Sequence, residues 1–98
     1  MILSNEPGYY KPGHFGIRIE NLIVVEPASP MVGADDREML QFKTLTFAPI
    51  DHALIDVDLL TKPERDWLDA YHAEVLQKLR ASCSADTQIW LDQACRPL

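Results

Sequence analysis

Gly16-Ile17-Arg18-Ile19-Glu20-Asn21-Leu22-Ile23-Val24-Val25 is the stretch that sets the fold class. Its density of Ile and Val makes it the strongest strand signal in the chain. Side chains alternate across a strand, so Ile17, Ile19, Asn21, Ile23 and Val25 take one face. Arg18, Glu20, Leu22 and Val24 take the other, which sets Arg18 and Glu20 roughly 7 Å apart on a shared face. A carboxylate among aliphatic residues is costly to bury unless a partner charge or a metal neutralises it. Arg18 is one candidate partner for Glu20, along the strand or across to a neighbour, and a metal ion is the other. Local physics leaves both open.

On the N-terminal side, residues 1–5 read as a short strand. Glu6-Pro7-Gly8 reads as a turn, with Pro fixing φ and Gly accepting φ > 0, and Lys11-Pro12-Gly13 as a second turn of the same kind. Glu6 taken alone reads as a solvated turn residue. Tyr9 and Tyr10, between the turns, are read as packing residues. The chain begins almost inside a strand, which needs a sheet to join. That start reads as a cut through a larger sheet. On the C-terminal side, residues 26–38 are rich in Pro, Gly and charge and predict a surface loop. Residues 40–47 predict a returning strand antiparallel to 16–25, with a bulge where the alternation breaks at Lys43-Thr44-Leu45.

After Pro49 the pattern turns helical. Residues 54–60 predict a single helical turn or irregular chain. Thr61-Lys62-Pro63-Glu64 carries an N-cap, a first-turn proline and a capping-box acid. The helix is predicted to run to about residue 81, burying Trp67, Leu68, Tyr71, Val75, Leu76 and Leu79. A second helix is predicted from near Ser84, carrying Ile89, Trp90, Leu91 and Ala94 until Pro97 ends it. The fold class is therefore α+β, with N-terminal antiparallel strands followed by a C-terminal helical region. Trp67 and Trp90 are read as core or interface residues. His14 falls in a loop, His52 follows Asp51, and His72 sits beside the apolar stripe in a partly buried structural role. No Ser-His-Asp or Cys-His constellation and no glycine-rich phosphate loop is visible.

Ninety-eight residues make one domain at most. The formal net charge of -6 and scattered Lys and Arg argue against a nucleic-acid partner. No apolar run is long enough for a membrane span, and no signal peptide is visible, so the expectation is a cytoplasmic protein without a membrane partner. Cys83 and Cys95 match no zinc spacing and suit a reducing compartment.

Glu6-Pro7-Gly8-Tyr9-Tyr10 followed by Phe15-Gly16-Ile17-Arg18-Ile19-Glu20-Asn21 resembles the end of the catalytic domain of Xaa-Pro aminopeptidases (aminopeptidase P), which are pita-bread metallopeptidases. Leu45-Thr46-Phe47-Ala48-Pro49-Ile50-Asp51 is similar to the segment closing that domain. Leu59-Leu60-Thr61, Trp67-Leu68, Tyr71-His72 and Trp90-Leu91 resemble the C-terminal helical extension of the longer enzymes. The resemblance covers essentially the whole chain. It implies residues 1–51 as the end of the catalytic domain and residues 52–98 as the post-catalytic extension. It also implies a parent hydrolase acting on peptides with proline at the second position. The family binds two divalent metals, commonly manganese, through two Asp, one His and two Glu. The resemblance maps the last two onto Glu6, a ligand of one metal that assists proton transfer with the attacking water, and Glu20, a ligand bridging both metals.

The two Asp and the His lie outside this sequence. The expectation is that the isolated chain is inactive, binds no cofactor or binds metal only weakly, and self-associates as a homo-oligomer through exposed strand edges. Two other readings stand beside this one. One is a non-catalytic dimerisation or interaction module anchored on Trp67, Tyr71 and Trp90. The other is a small α+β domain in which Arg18 simply neutralises Glu20.

Overall fold

The computed structural model describes residues 1–98. It has five strands and two α-helices, in the α+β order read from the sequence. The chain divides into two compact units, Met1–Thr46 and Phe47–Leu98.

The first unit is built on β1 (Ile2–Asn5), β2 (Gly8–Lys11), β3 (Phe15–Arg18), β4 (Asn21–Pro27) and β5 (Leu40–Thr44). β1, β4 and β5 form an antiparallel sheet in that order, and β2 pairs with β3. The predicted strand 16–25 is thus divided between two ladders at Ile19-Glu20. Pro7 explains the division. Ile19 N–H donates to the Pro7 carbonyl at 3.1 Å, but Pro7 has no N–H to return the bond. The ladder lapses there without losing register: Asn5 faces Asn21 on one side and Gly8 faces Arg18 on the other. β1–β2 and β3–β4 are therefore two arms of one long hairpin.

The hairpin closes at Lys11-Pro12-Gly13-His14, where His14 N–H donates to the Lys11 carbonyl at 3.0 Å and Gly13 has φ +74°. That is the Pro-Gly turn read from the sequence. The first predicted turn does not form. Gly8 lacks positive φ and opens β2, so Glu6 lies along an extended arm rather than at a bend. The predicted bulge is also absent. β4 and β5 pair without interruption from Pro27 opposite Leu40 to Ile23 opposite Thr44, and Leu45 N–H continues the ladder to the Leu22 carbonyl.

In this unit Asn21 alone falls in the buried class. Its amide accepts from Asn5 Nδ2 at 3.4 Å and donates to Thr44 Oγ1 at 3.5 Å, tying β1, β4 and β5 together. Tyr9, Phe15, Ile17, Leu40 and Phe42 are all exposed.

The second unit holds the apolar core. α1 (Lys62–Leu79) starts at the predicted capping box, in which Thr61 and Glu64 satisfy each other's end of the helix. Leu68, Tyr71 and Val75 of α1 pack with Leu91 of α2 (Ala85–Ala94) and Cys95. α1 ends at Leu79 and a 3-10 turn, Arg80–Ser82, leads to the Ser84 N-cap, whose Oγ accepts from Thr87 N–H. Trp67, expected inside, is half exposed and stacks on Tyr71 with ring centroids 5.5 Å apart. Phe47 stacks on Tyr71 at 6.4 Å. The Tyr71 hydroxyl accepts from Ala48 N–H at 3.2 Å and donates to the Ala48 carbonyl at 3.0 Å. His72 is completely buried, more deeply than the sequence suggests.

A carboxylate pair facing across the hairpin

Glu6 and Glu20 meet because of the hairpin register. With Asn5 opposite Asn21 and Gly8 opposite Arg18, and no residue gained or lost between, Glu6 stands directly across from Glu20. The backbone bonds Val25 N–H to Met1 O and Ile19 N–H to Pro7 O mark the odd positions of the first arm as the hydrogen-bonded pairs. Glu6 and Glu20 therefore form a non-hydrogen-bonded pair, the type with Cα atoms about 4.5 Å apart and side chains closest. The same parity puts Ser4, Tyr10, Gly16 and Arg18 on their face.

Like charges directly opposed destabilise a sheet unless a cation intervenes. Arg18 supplies one. Its Nη1 lies 2.8 Å from Glu6 Oε2 and 3.9 Å from Glu20 Oε2. Its Nε donates to the Tyr10 hydroxyl at 2.7 Å, and Ser4 Oγ donates to Glu20 Oε1 at 3.3 Å. Tyr10 foremost, then Glu6 and Glu20, hold the Arg18 guanidinium above its ordinary pKa. Tyr10 reaches Arg18 by lying across Gly16, where a Cβ would come within 2.8 Å of Tyr10 Cδ1.

Glu20 is 48% and Glu6 43% exposed. The desolvation reasoning applied to Glu20 from sequence therefore does not hold in this chain: the acid is half in water, and Arg18 neutralises it as the simplest reading expects. Exposed ion pairs of this kind contribute little to stability. Stability gives little reason to set two carboxylates face to face, so their juxtaposition asks for a chemical one.

Two adjacent carboxylates suit a hard divalent cation. The donor set in the chain stops there, because no group of three or more His, Cys, Asp or Glu side chains comes together. The residues present do not by themselves make a metal site. Sequence reading singled out Glu6, Glu20 and Arg18 but missed Ser4, Tyr10 and Gly16. The signal was available: once Lys11-Pro12-Gly13-His14 is taken as a tight turn, counting outward along both arms pairs position 10 with 16 and 6 with 20.

Residues 38–98 match the family described as the C-terminal region of peptidase_M24. Over the whole chain, the sequence is 43% identical to the probable Xaa-Pro aminopeptidase P of Laccaria bicolor and 48% identical to aminopeptidase P2 of Arabidopsis thaliana. It spans only 16% and 14% of their lengths. The crystal structure of X-prolyl aminopeptidase from Caenorhabditis elegans, described as a cytosolic enzyme with a di-nuclear active site, superposes with a TM-score of 0.83 at 39% identity. That match covers 99% of this chain and 16% of the other. No helix here is long and apolar enough to cross a membrane. The chain belongs to the peptidase M24 C-terminal family, and its relatives in that family are Xaa-Pro aminopeptidases.

Proposed function

We propose that this chain is the C-terminal part of a cytoplasmic Xaa-Pro aminopeptidase, a metallopeptidase that cleaves the N-terminal residue from peptides with proline at the second position. Residues 1–51 end the catalytic domain and residues 52–98 form the post-catalytic extension. Glu6 and Glu20 are the two carboxylates this region contributes to a dinuclear centre, probed best with Mn²⁺, whose other donors lie outside the chain. Glu6 is also the catalytic carboxylate for proton transfer. The carrying observation is the direct opposition of Glu6 and Glu20 at the closest cross-strand spacing, on one face, with a single cation between them. Relatives of which this region is a small fraction, and a superposable enzyme with a di-nuclear site, support the reading.

The isolated chain is inactive on this proposal, because two ligands hold a dication poorly. Calorimetric titration of the chain with Mn²⁺ is expected to show no saturable two-site binding. Two tightly held ions per chain, or release of the first residue from an Xaa-Pro peptide, would overturn the fragment reading. In the longer protein carrying this region, Glu20→Gln is expected to lower metal content and peptidase activity together. Retention of both would remove Glu20 from the site.

The interaction-module reading keeps one specific support: a sheet whose apolar residues on both faces are largely exposed. Exposed apolar sheet residues and open strand edges favour association. Light scattering separates the cases, since a monodisperse monomer would count against self-association.

A further inference from the structure

His72 and His52 form a contact that no part of the peptidase reading uses. His72, on α1, has no exposed surface. Its Nε2 accepts from Ile50 N–H at 3.0 Å, and its Nδ1 lies 3.1 Å from His52 Nε2. These two contacts leave one hydrogen arrangement. Nε2 of His72 must present its lone pair to the amide, so a neutral His72 carries its hydrogen on Nδ1. That hydrogen points at His52 Nε2, which must in turn be an acceptor. The His52 hydrogen is then on Nδ1, a buried atom that no acceptor of the chain reaches.

A proton has nowhere to go in this arrangement. Protonating His72 puts N–H against the Ile50 N–H. Protonating His52 puts N–H against the His72 Nδ1–H. Either event breaks a bond between α1 and residues 49–53. We infer that the His52–His72 contact is a pH-released latch: at neutral and higher pH it ties residues 49–53 to α1, and mild acid frees that segment while both helices persist.

The neighbouring charges do not rescue the closed form. Asp69, one turn back on α1, favours a charged His72, but its Oδ1 already accepts from Leu98 N–H at 2.9 Å. Burial, and then His52, push the His72 pKa below its ordinary value against that pull. Asp51 precedes His52 and uses Oδ1 to cap the 3-10 turn His52–Leu54 through Ala53 N–H. Arg96, from beyond α2, lines the same cavity as His52 and adds positive charge. The ends of the released stretch are also defined. Ala48 stays tied to the Tyr71 hydroxyl, and Ile55 packs on the core, and neither contact involves a histidine; Ile50, inside the stretch, also packs on the core, so release gives up that apolar contact as well. Residues 49–53 form one wall of a cavity of about 510 Å³ whose other wall includes Trp90, Gln93 and Ala94, so release opens that cavity. Opening also gives the orphaned His52 Nδ1–H access to water.

Linkage sets the size. A group whose folded pKa is depressed stabilises the closed form above its unfolded value, and that contribution is lost as pH falls. Below about pH 6.5 the open fraction rises by up to tenfold per pH unit for the proton that His72 takes up. Two measurements on the whole chain test this. Long-range ¹⁵N–¹H spectra of the imidazoles at pH 7.5 are expected to show both rings as the Nδ1–H tautomer. Either ring as Nε2–H refutes the latch without any variant. Hydrogen exchange at Ile50 N–H, corrected for intrinsic rate, is expected to accelerate severalfold, up to tenfold, per unit below pH 6.5 while helical circular dichroism stays constant. His72→Gln offers an acceptor at the Nε2 position that does not titrate and should abolish that slope. Should it not fold, His52→Ala removes the acceptor facing His72 Nδ1 and should speed Ile50 exchange already at pH 7.5. Flat Ile50 protection in the unsubstituted chain, an unchanged slope in folded His72→Gln, or unchanged Ile50 exchange at pH 7.5 in His52→Ala overturns the inference.

Discussion

Tyr71→Phe isolates one atom at the centre of the helical unit. The ring remains to stack on Trp67 and Phe47, at centroid distances of 5.5 and 6.4 Å. What goes is the hydroxyl, which satisfies both the N–H and the carbonyl of Ala48 at 3.2 and 3.0 Å. A neutral hydrogen bond contributes about 1 kcal/mol net, and a polar group left unpaired costs about 1–3 kcal/mol when water cannot replace the partner. Ala48 itself is exposed, so water recovers part of the loss. The expected cost is about 1.5 kcal/mol, a little over tenfold in the unfolding equilibrium. Tyr71→Ala adds loss of the ring and should cost about 3–5 kcal/mol. All α-helix lies in Phe47–Leu98, so urea unfolding followed at 222 nm reports this unit. The reasoning fails if Tyr71→Phe costs under about 0.5 kcal/mol or if it matches Tyr71→Ala, because the first would make the hydroxyl idle and the second would make the stack idle.

Gly16→Ala should push the Tyr10 ring off the hairpin, since the new Cβ meets Cδ1 at 2.8 Å; the Arg18–Tyr10 bond is then lost, visible as a shift of the Arg18 Nε–H resonance, while the hairpin amide pattern survives. Ser84→Ala removes the α2 cap and should destabilise the helical unit by about 1 kcal/mol in the same urea assay. Arg80 binds Asp92 with two bonds, 2.8 and 3.0 Å, which hold the Asp92 pKa below its ordinary value. The stability this gives is present above the unfolded carboxylate value and disappears as pH falls through the lowered one; Asp92→Asn should therefore narrow the gap in midpoint between pH 6 and pH 2, and an unchanged gap would show the pair to be idle.

The helical unit was almost wholly legible in the residues. Capping signals at Thr61-Lys62-Pro63-Glu64 and Ser84 are local, and the stripe Leu68, Tyr71 and Val75 needs only helical geometry to become a core. The strand content and the turn at Pro12-Gly13 were legible for the same reason. Glu6-Pro7-Gly8 misled because Pro-Gly permits a turn without requiring one, and cross-strand pairing on both sides kept the chain extended. Trp67 misled because a helical stripe specifies a direction, not what stands opposite it.

Sequence alone therefore determined the order of elements, the acids and base carrying charge on the β3–β4 stretch, and the resemblance that the family match then established. Only the tertiary structure decided that Glu6 faces Glu20 across Arg18, and that His52 leans on His72. Glu6 and Glu20 stand fourteen positions apart in the chain, and His52 and His72 twenty. Local propensity acts over a few bonds, whereas such contacts depend on register and on which element folds back, properties of the assembled chain.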